Sequence, residues 1–70
     1  MVKGIYEHYK WNRYRLLCVE NHSETLEKMV IYQALYGDGE IWARPLSMWN
    51  EPVKKDGKTV PRFRLLEEEA

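Results

Sequence analysis

The sequence has one cysteine, Cys18, among 70 residues, so no internal disulfide can form. Histidine is almost as scarce, with His8 and His22 alone. A zinc site built from this chain would need Cys18, both histidines and a carboxylate, and neither C-x-x-C nor H-x-x-x-H spacing is present. The sequence therefore implies no metal and no cofactor. It also lacks an excess of charge of either sign, since eleven basic residues balance eleven acidic ones. A domain built to grip duplex nucleic acid normally carries a clear positive surplus, because phosphate neutralisation supplies most of the affinity. The balance argues against a general DNA binder and leaves room for a local basic strip. No apolar run is long enough to span a bilayer, and residues 1–6 contain no signal-type apolar segment. Together with the lone thiol, this points to a reducing, cytoplasmic setting and no membrane partner.

What the chain has is rings: three Trp, five Tyr and one Phe. A domain of this length buries only roughly 60% of the surface of its unfolded chain, so its core is thin. Without a disulfide or a metal, dense aromatic packing is the remaining route to stability, each ring burying on the order of 150–250 Å².

Short alternating runs separated by turn chemistry read as strands and hairpins. Residues 4–9 form the first run. Residues 10–13 turn the chain, with Asn12 the best candidate for a left-handed conformation. The second run, 14–20, places Tyr14, Leu16 and Cys18 on one face and Arg15, Leu17 and Val19 on the other. Residues 21–27 are polar and read as a loop. The third run, 28–36, competes with helix, yet Val30-Ile31-Tyr32 is a strong β triplet and Gly37-Asp38-Gly39 follows as a turn. In a fourth run, 41–44, Pro45 either ends the pairing or places the run at a sheet edge. Residues 46–51 read as one helical turn with Leu46 and Trp49 on the same side, closed by Pro52. Asp56-Gly57, between residues 53–55 and 58–60, suits a two-residue type I′ hairpin. Residues 61–66 extend that strand.

These elements predict a mostly β domain over residues 1–66, with an acidic, solvated tail at 67–70. The expected architecture is a small SH3-like β-barrel of five to six short strands with one short 3₁₀ or helical turn. The alternative is α+β, a curved antiparallel sheet packed on one short helix drawn from residues 23–35.

Arg13 with Arg15, and Arg62 with Arg64, are spaced to project from one strand face. If those strands are neighbours, they make a basic strip beside Trp11 and Tyr14 that suits single-stranded nucleic acid. The plainer reading makes them a solvated face paired with carboxylates, and the zero net charge favours it. The His22-Ser23-Glu24-Thr25-Leu26-Glu27 segment holds the densest set of reactive groups, an imidazole beside carboxylates. It equally suits a loop whose side chains satisfy local backbone donors. No nucleophile elbow or phosphate-cradling glycine loop accompanies it, and a chain this small excludes water poorly. Arg44, in Trp42-Ala43-Arg44-Pro45-Leu46, suits either a bidentate clamp on a carboxylate or phosphate or a stack on Trp42 or Trp49 with a structural carboxylate as its partner.

Several segments in order resemble a bacterial family catalogued as domain of unknown function 1653. They are Tyr6-Glu7-His8-Tyr9-Lys10, His22-Ser23-Glu24-Thr25, residues 30–37, Trp42-Ala43-Arg44-Pro45-Leu46, and Asp56-Gly57 followed by Val60-Pro61-Arg62-Phe63. The resemblance implies a compact bacterial domain and no activity to carry over. Its pattern has glycine where this chain has Trp11 and phenylalanine where it has Trp49.

The preferred functional reading is a non-catalytic binding module for a small anionic ligand, single-stranded nucleic acid or a protein partner. Its surface combines Tyr6, His8, Tyr32 and Arg44 with His22, Ser23, Glu24 and Glu27 of the polar loop. The alternatives are a small hydrolase or metal-dependent enzyme using the 22–27 loop, and a homodimeric or accessory interaction domain. The last would dock through a strand edge and Trp11 or Trp49.

Overall fold

In the computed structural model, which describes residues 2–69, the chain runs through β1 (Gly4–His8), β2 (Arg13–Asn21), β3 (Lys28–Ala34) and β4 (Ile41–Pro45). The helix α1 (Leu46–Trp49) follows, then β5 (Pro52–Lys55), β6 (Lys58–Pro61) and β7 (Phe63–Glu68). The strands form two antiparallel sheets, one of five strands in the order β4-β3-β2-β1-β7 and one of two, β5-β6. The mostly β content, the helical turn and the Asp56-Gly57 hairpin match the sequence expectation. Closure of the barrel does not, because β4 and β7 are the two edges of the large sheet and do not pair with each other. There are also seven strands where five to six were expected. Residues 61–66 do not extend one strand, because the chain bends at Arg62 and β7 leaves the hairpin to pair with β1. Among the described residues no helix is long and apolar enough to cross a membrane.

Burial at intervals of two fixes β3 as a strand. Val30, Tyr32 and Ala34 are buried, and the residues between them are not. The helical alternative for residues 23–35 fails on that periodicity, since a helix would spread the same side chains around its axis. Opposite them in β2, the register shifts between Leu16 and Cys18, so Leu16 faces Tyr32 while Val19, not Cys18, faces Val30. This bulge corrects the simple alternation of the second run. The extra residue flips the strand, and Val19 joins Tyr14 and Leu16 against the core.

The core is a ring assembly on one face of the large sheet. Trp49 stacks on Phe63 with centroids 3.7 Å apart and planes 3° off parallel. Tyr6 and Tyr32 meet Trp49 edge-on at 5.4 and 5.1 Å. The four-residue α1 therefore serves to drop Trp49 into the sheet, with Leu46 packed beside it. Edge-to-face and offset contacts of this kind add to the burial of the rings themselves.

β7 extends further than the sequence suggested. Glu67 and Glu68 pair with Ile5 and Gly4, and Glu69 donates its N–H to the Lys3 carbonyl at 2.9 Å. The segment expected as a solvated tail is thus mostly edge strand, its carboxylates exposed while its backbone is laddered; Ala70 lies outside the described residues. Gly4 permits this pairing, since a Cβ there would collide with the Glu67 carbonyl. The hairpin turn is as predicted, with Asp56 and Gly57 both at positive φ, 52° and 77°. The β1–β2 turn is not: Trp11, rather than Asn12, takes the left-handed conformation, at φ 76°. The Trp11 N–H donates to the His8 carbonyl and the His8 N–H to the Asn12 carbonyl, which leaves Trp11 at the position a glycine fills most easily.

Candidate functional site

The expected site residues divide into three groups. Tyr6 and Tyr32 are core rings, each 7% exposed. The Tyr6 hydroxyl donates to the Val2 carbonyl, and burial, with the Glu68 carboxylate second, raises its pKa. Both contacts are structural and leave Tyr6 no free polar tip.

His8 and Arg44 do converge. His8 lies edge-on to Phe63 at 5.0 Å, and the Arg44 guanidinium sits 5.7 Å from the centroid of the same ring. The Arg44 Nε also donates a long bond, 3.5 Å, to the Tyr32 hydroxyl. Burial lowers the His8 pKa, and the positive charges of Arg44, Arg62 and Lys10 lower it further. Its Nδ1 accepts the Lys10 N–H at 3.2 Å, a bond that needs that nitrogen unprotonated.

His22, Ser23, Glu24 and Glu27 are brought into neither cluster. They cap the far end of the β2–β3 hairpin, a full strand away from His8. The His22 Nδ1 accepts the N–H groups of Glu24 and Thr25 at 3.2 and 3.3 Å, and its backbone N–H donates to the Glu27 carbonyl. The imidazole closes a loop whose Leu26 is held at φ 63°. Ser23, Glu24 and Glu27 point to solvent. Among the described residues no three His, Cys, Asp or Glu side chains are grouped to hold a metal.

The basic strip resolves into ion pairs. Glu7, on the central strand β1, bridges Arg13 on β2 and Arg64 on β7 at 3.7 and 2.9 Å. Arg15 pairs with Glu69 at 3.1 Å, and Arg62 with Glu51 at 3.4 Å. Arg62 also leaves the strip, since it sits in the bend between β6 and β7. Of the five arginines in the sequence, Arg44 alone has no carboxylate partner among the described residues.

A concavity of about 270 Å³ opens where the β5–β6 hairpin meets the β1–β2 turn. Its walls include His8, Tyr9, Trp11, Lys55, Pro61 and Arg64. Lys55 spans it: the ammonium lies 4.0 Å from the Trp11 ring centroid and donates to the Tyr9 carbonyl at 3.2 Å. Lys10 and Arg62 lie 5.7 and 5.9 Å from the Tyr9 ring centroid. The cleft is therefore walled by rings and ringed by cations. Its one carboxylate, Glu7, is already shared between two arginines. Of the eight expected site residues, only His8 lines it.

Tyr9 and Lys55 are residues of this cleft that sequence reasoning missed, and Trp11 was singled out only beside the basic strip and as a docking ring. Trp11 carried the available signal, as a large ring in a turn position where solvent exposure is the rule; it is 72% exposed. Lys55 gave none, because its meeting with Trp11 depends on where the hairpin docks.

No curated protein matches the chain significantly. A crystal structure of a protein belonging to the DUF1653 family, from Bordetella bronchiseptica, is similar to it throughout. The TM-score is 0.89 at 32% sequence identity, over 100% of this chain and 92% of the other. Residues 4–65 match the family described as "Protein of unknown function (DUF1653)". With the family match spanning almost every strand and the fold shared end to end, the chain belongs to the DUF1653 family.

Proposed function

We propose that this domain is a non-catalytic binding module for a small anionic ligand that carries a planar group, of the kind a mononucleotide presents. The observation that carries the reading is the cleft beside Trp11, where exposed ring faces and cations alternate and the only carboxylate is already paired. Rings offer a stacking surface to a planar group, and Lys10 and Lys55 offer charge to its anion. Arg44, without a carboxylate partner among the described residues, adds a guanidinium close enough to His8 to lower its pKa. The cleft is small beside typical ligand pockets of about 300–1,000 Å³, which favours a single nucleotide-sized group over a long strand. The ion-paired arginines point the same way, as an extended backbone track would need them free.

The test is a titration of ¹⁵N-labelled protein with inorganic phosphate, adenosine monophosphate and a short oligouridylate. Saturable shifts at the Trp11 indole, His8 and Lys55 are expected with the mononucleotide, weakening as salt rises. Absence of any localised shift, or shifts confined to residues 22–27, would remove the proposal.

A protein-interaction role remains the second reading, favoured by edge strand β4, where Ile41 and Trp42 are 60% and 50% exposed. Trp49 no longer contributes to it, being buried. Light scattering that gave only monomer at high concentration would eliminate the homodimer form. The hydrolase reading draws no support from a His22 whose Nδ1 is engaged by backbone N–H groups.

A further inference from the structure

A second concavity, about 220 Å³, lies between the β3–β4 loop and the start of β4, and shares no lining residue with the cleft at Trp11. Its walls are the rings of Tyr36 and Trp42, its floor is Ala34, and Asp38 and Glu40 stand at its rim. Both aromatic residues are about half exposed, at 48% and 50%, so part of each is open to a ligand. Neither Asp38 nor Glu40 has an ion-pair partner among the described residues.

The walls are held before any ligand arrives. The Tyr36 hydroxyl is hydrogen-bonded to the Tyr14 hydroxyl at 2.8 Å, and the two rings meet edge-on at 5.5 Å. Burial and that hydrogen bond push the Tyr14 pKa up to about 12, and the carboxylates of Asp38 and Glu40 set the local sign. The loop between the walls is closed on itself. Gly39 donates to the Tyr36 carbonyl at 3.1 Å, Ala34 to the Glu40 carbonyl at 2.9 Å, and the Gln33 side chain to the Gly39 carbonyl at 3.0 Å. Arg44, two residues along β4 from Trp42, is drawn away toward Phe63 and the Tyr32 hydroxyl.

From this geometry we infer that the Tyr36–Trp42 concavity binds a small organic cation, an alkylated ammonium, between its two rings and the carboxylates of Asp38 and Glu40. A methylated ammonium is large, weakly hydrated and positive over its whole surface. Ring faces attract it electrostatically while nearby carboxylates supply long-range charge, which is the logic of aromatic cages. A metal ion fits less well, since two exposed carboxylates with no further oxygen donors leave most of its coordination to water. An anion is excluded by the sign of the rim. This concavity and the anion cleft can thus stand or fall separately.

Tetramethylammonium is the probe, titrated into ¹⁵N-labelled full-length protein at constant ionic strength. The expected result is a saturable shift of the Trp42 indole and of the amides of Ala34, Gly37 and Gly39, with Trp11 unmoved. Trp42→Ala should weaken binding roughly 2- to 30-fold, the range for loss of one cation–ring contact. Asp38→Asn with Glu40→Gln should weaken it several-fold and remove its dependence on salt; both residues are exposed, so the fold survives the change. The uncharged analogue 3,3-dimethylbutanol, which carries a tert-butyl group in place of the methylated ammonium, should not bind. Equal binding of that alcohol, indifference to the acidic substitutions, or no shift at millimolar tetramethylammonium would overturn the inference. Much tighter binding of a trimethyllysine peptide would overturn the assignment to a free small molecule and make the cation part of a protein partner.

Discussion

The two sheets of this protein are stabilised in different ways. The large sheet carries every buried ring, Tyr6, Tyr32 and Phe63 on its strands and Trp49 delivered from α1. The β5–β6 hairpin carries no buried residue at all. It is held by its own ladder, by its type I′ turn, and by Lys55 reaching across to Tyr9 and Trp11. Tertiary burial fixes the first region, and local backbone chemistry fixes the second. The contrast matters for function, because the cleft lies where the rigid region meets the locally determined one. Besides Lys55, a hydrogen bond from the Tyr9 N–H to the Arg62 carbonyl ties the hairpin's end to the β1–β2 turn. A wall with no buried residue can move at less cost than the core.

The largest test of this contrast is Trp49→Ala. Loss of a ring stacked on Phe63 and touching Tyr6 and Tyr32 should cost about 3–5 kcal/mol in urea denaturation, a large part of the stability of so small a domain. Retention of most of the stability would mean that the core does not depend on α1. Next comes Gly57→Ala, which forces a Cβ into a left-handed turn position. It should cost about 1–2 kcal/mol. The loss should show in amide exchange of β5 and β6 first, with β3 amides protected almost as before.

The third test uses pH. The folded-state pKa of His8 is depressed, chiefly by burial and then by the cations around it. Such a group contributes stability above its unfolded pKa, about 6.5, and that contribution is lost as pH falls through the folded value. Stability should therefore decline on acidification from near neutrality, and His8→Gln should flatten the decline. An unchanged pH profile in His8→Gln would place the titration elsewhere. The smallest effect on stability is expected for Trp11→Gly. Relief of the left-handed backbone, worth about 1–2 kcal/mol, is offset by glycine's greater unfolded freedom and by loss of the Lys55 contact. The net change should stay within about 0.5 kcal/mol, while mononucleotide shifts at the cleft disappear. A marked loss of stability would show that Trp11 is a structural clamp on the hairpin.

Most strands were legible in the sequence because each carries a local signature. Val30-Ile31-Tyr32 gave β3, Asp56-Gly57 gave the hairpin, and Leu46 with Trp49 gave the short helix that fills the core. The bulge in β2 was not legible. Tyr14-Arg15-Leu16-Leu17-Cys18-Val19 allows two inward registers, and only Val30 opposite selects Val19. The acidic run at the end was misread for a related reason, since Glu67 and Glu68 have no apolar pattern and are strand only because β1 offers a free edge. The site was the least legible part. His8 and Arg44, expected on one surface, both lie against the Phe63 ring, while Tyr6 and Tyr32 of the same set are core rings. The polar loop at residues 22–27 looked the most reactive and proved to be a self-capped turn.

What the sequence settled by itself was the class of the domain: β-rich, thin-cored, and dependent on rings in place of disulfide or metal. Composition and local turn chemistry suffice for that, because each acts over a few residues. Only the tertiary structure decided that the large sheet stays open, that four arginines are neutralised while Arg44 is not, and that Trp11, Lys55 and Tyr9 share a cleft. Those outcomes depend on pairings between residues far apart in the chain. Their energies are set by which partner arrives, and no single segment encodes that.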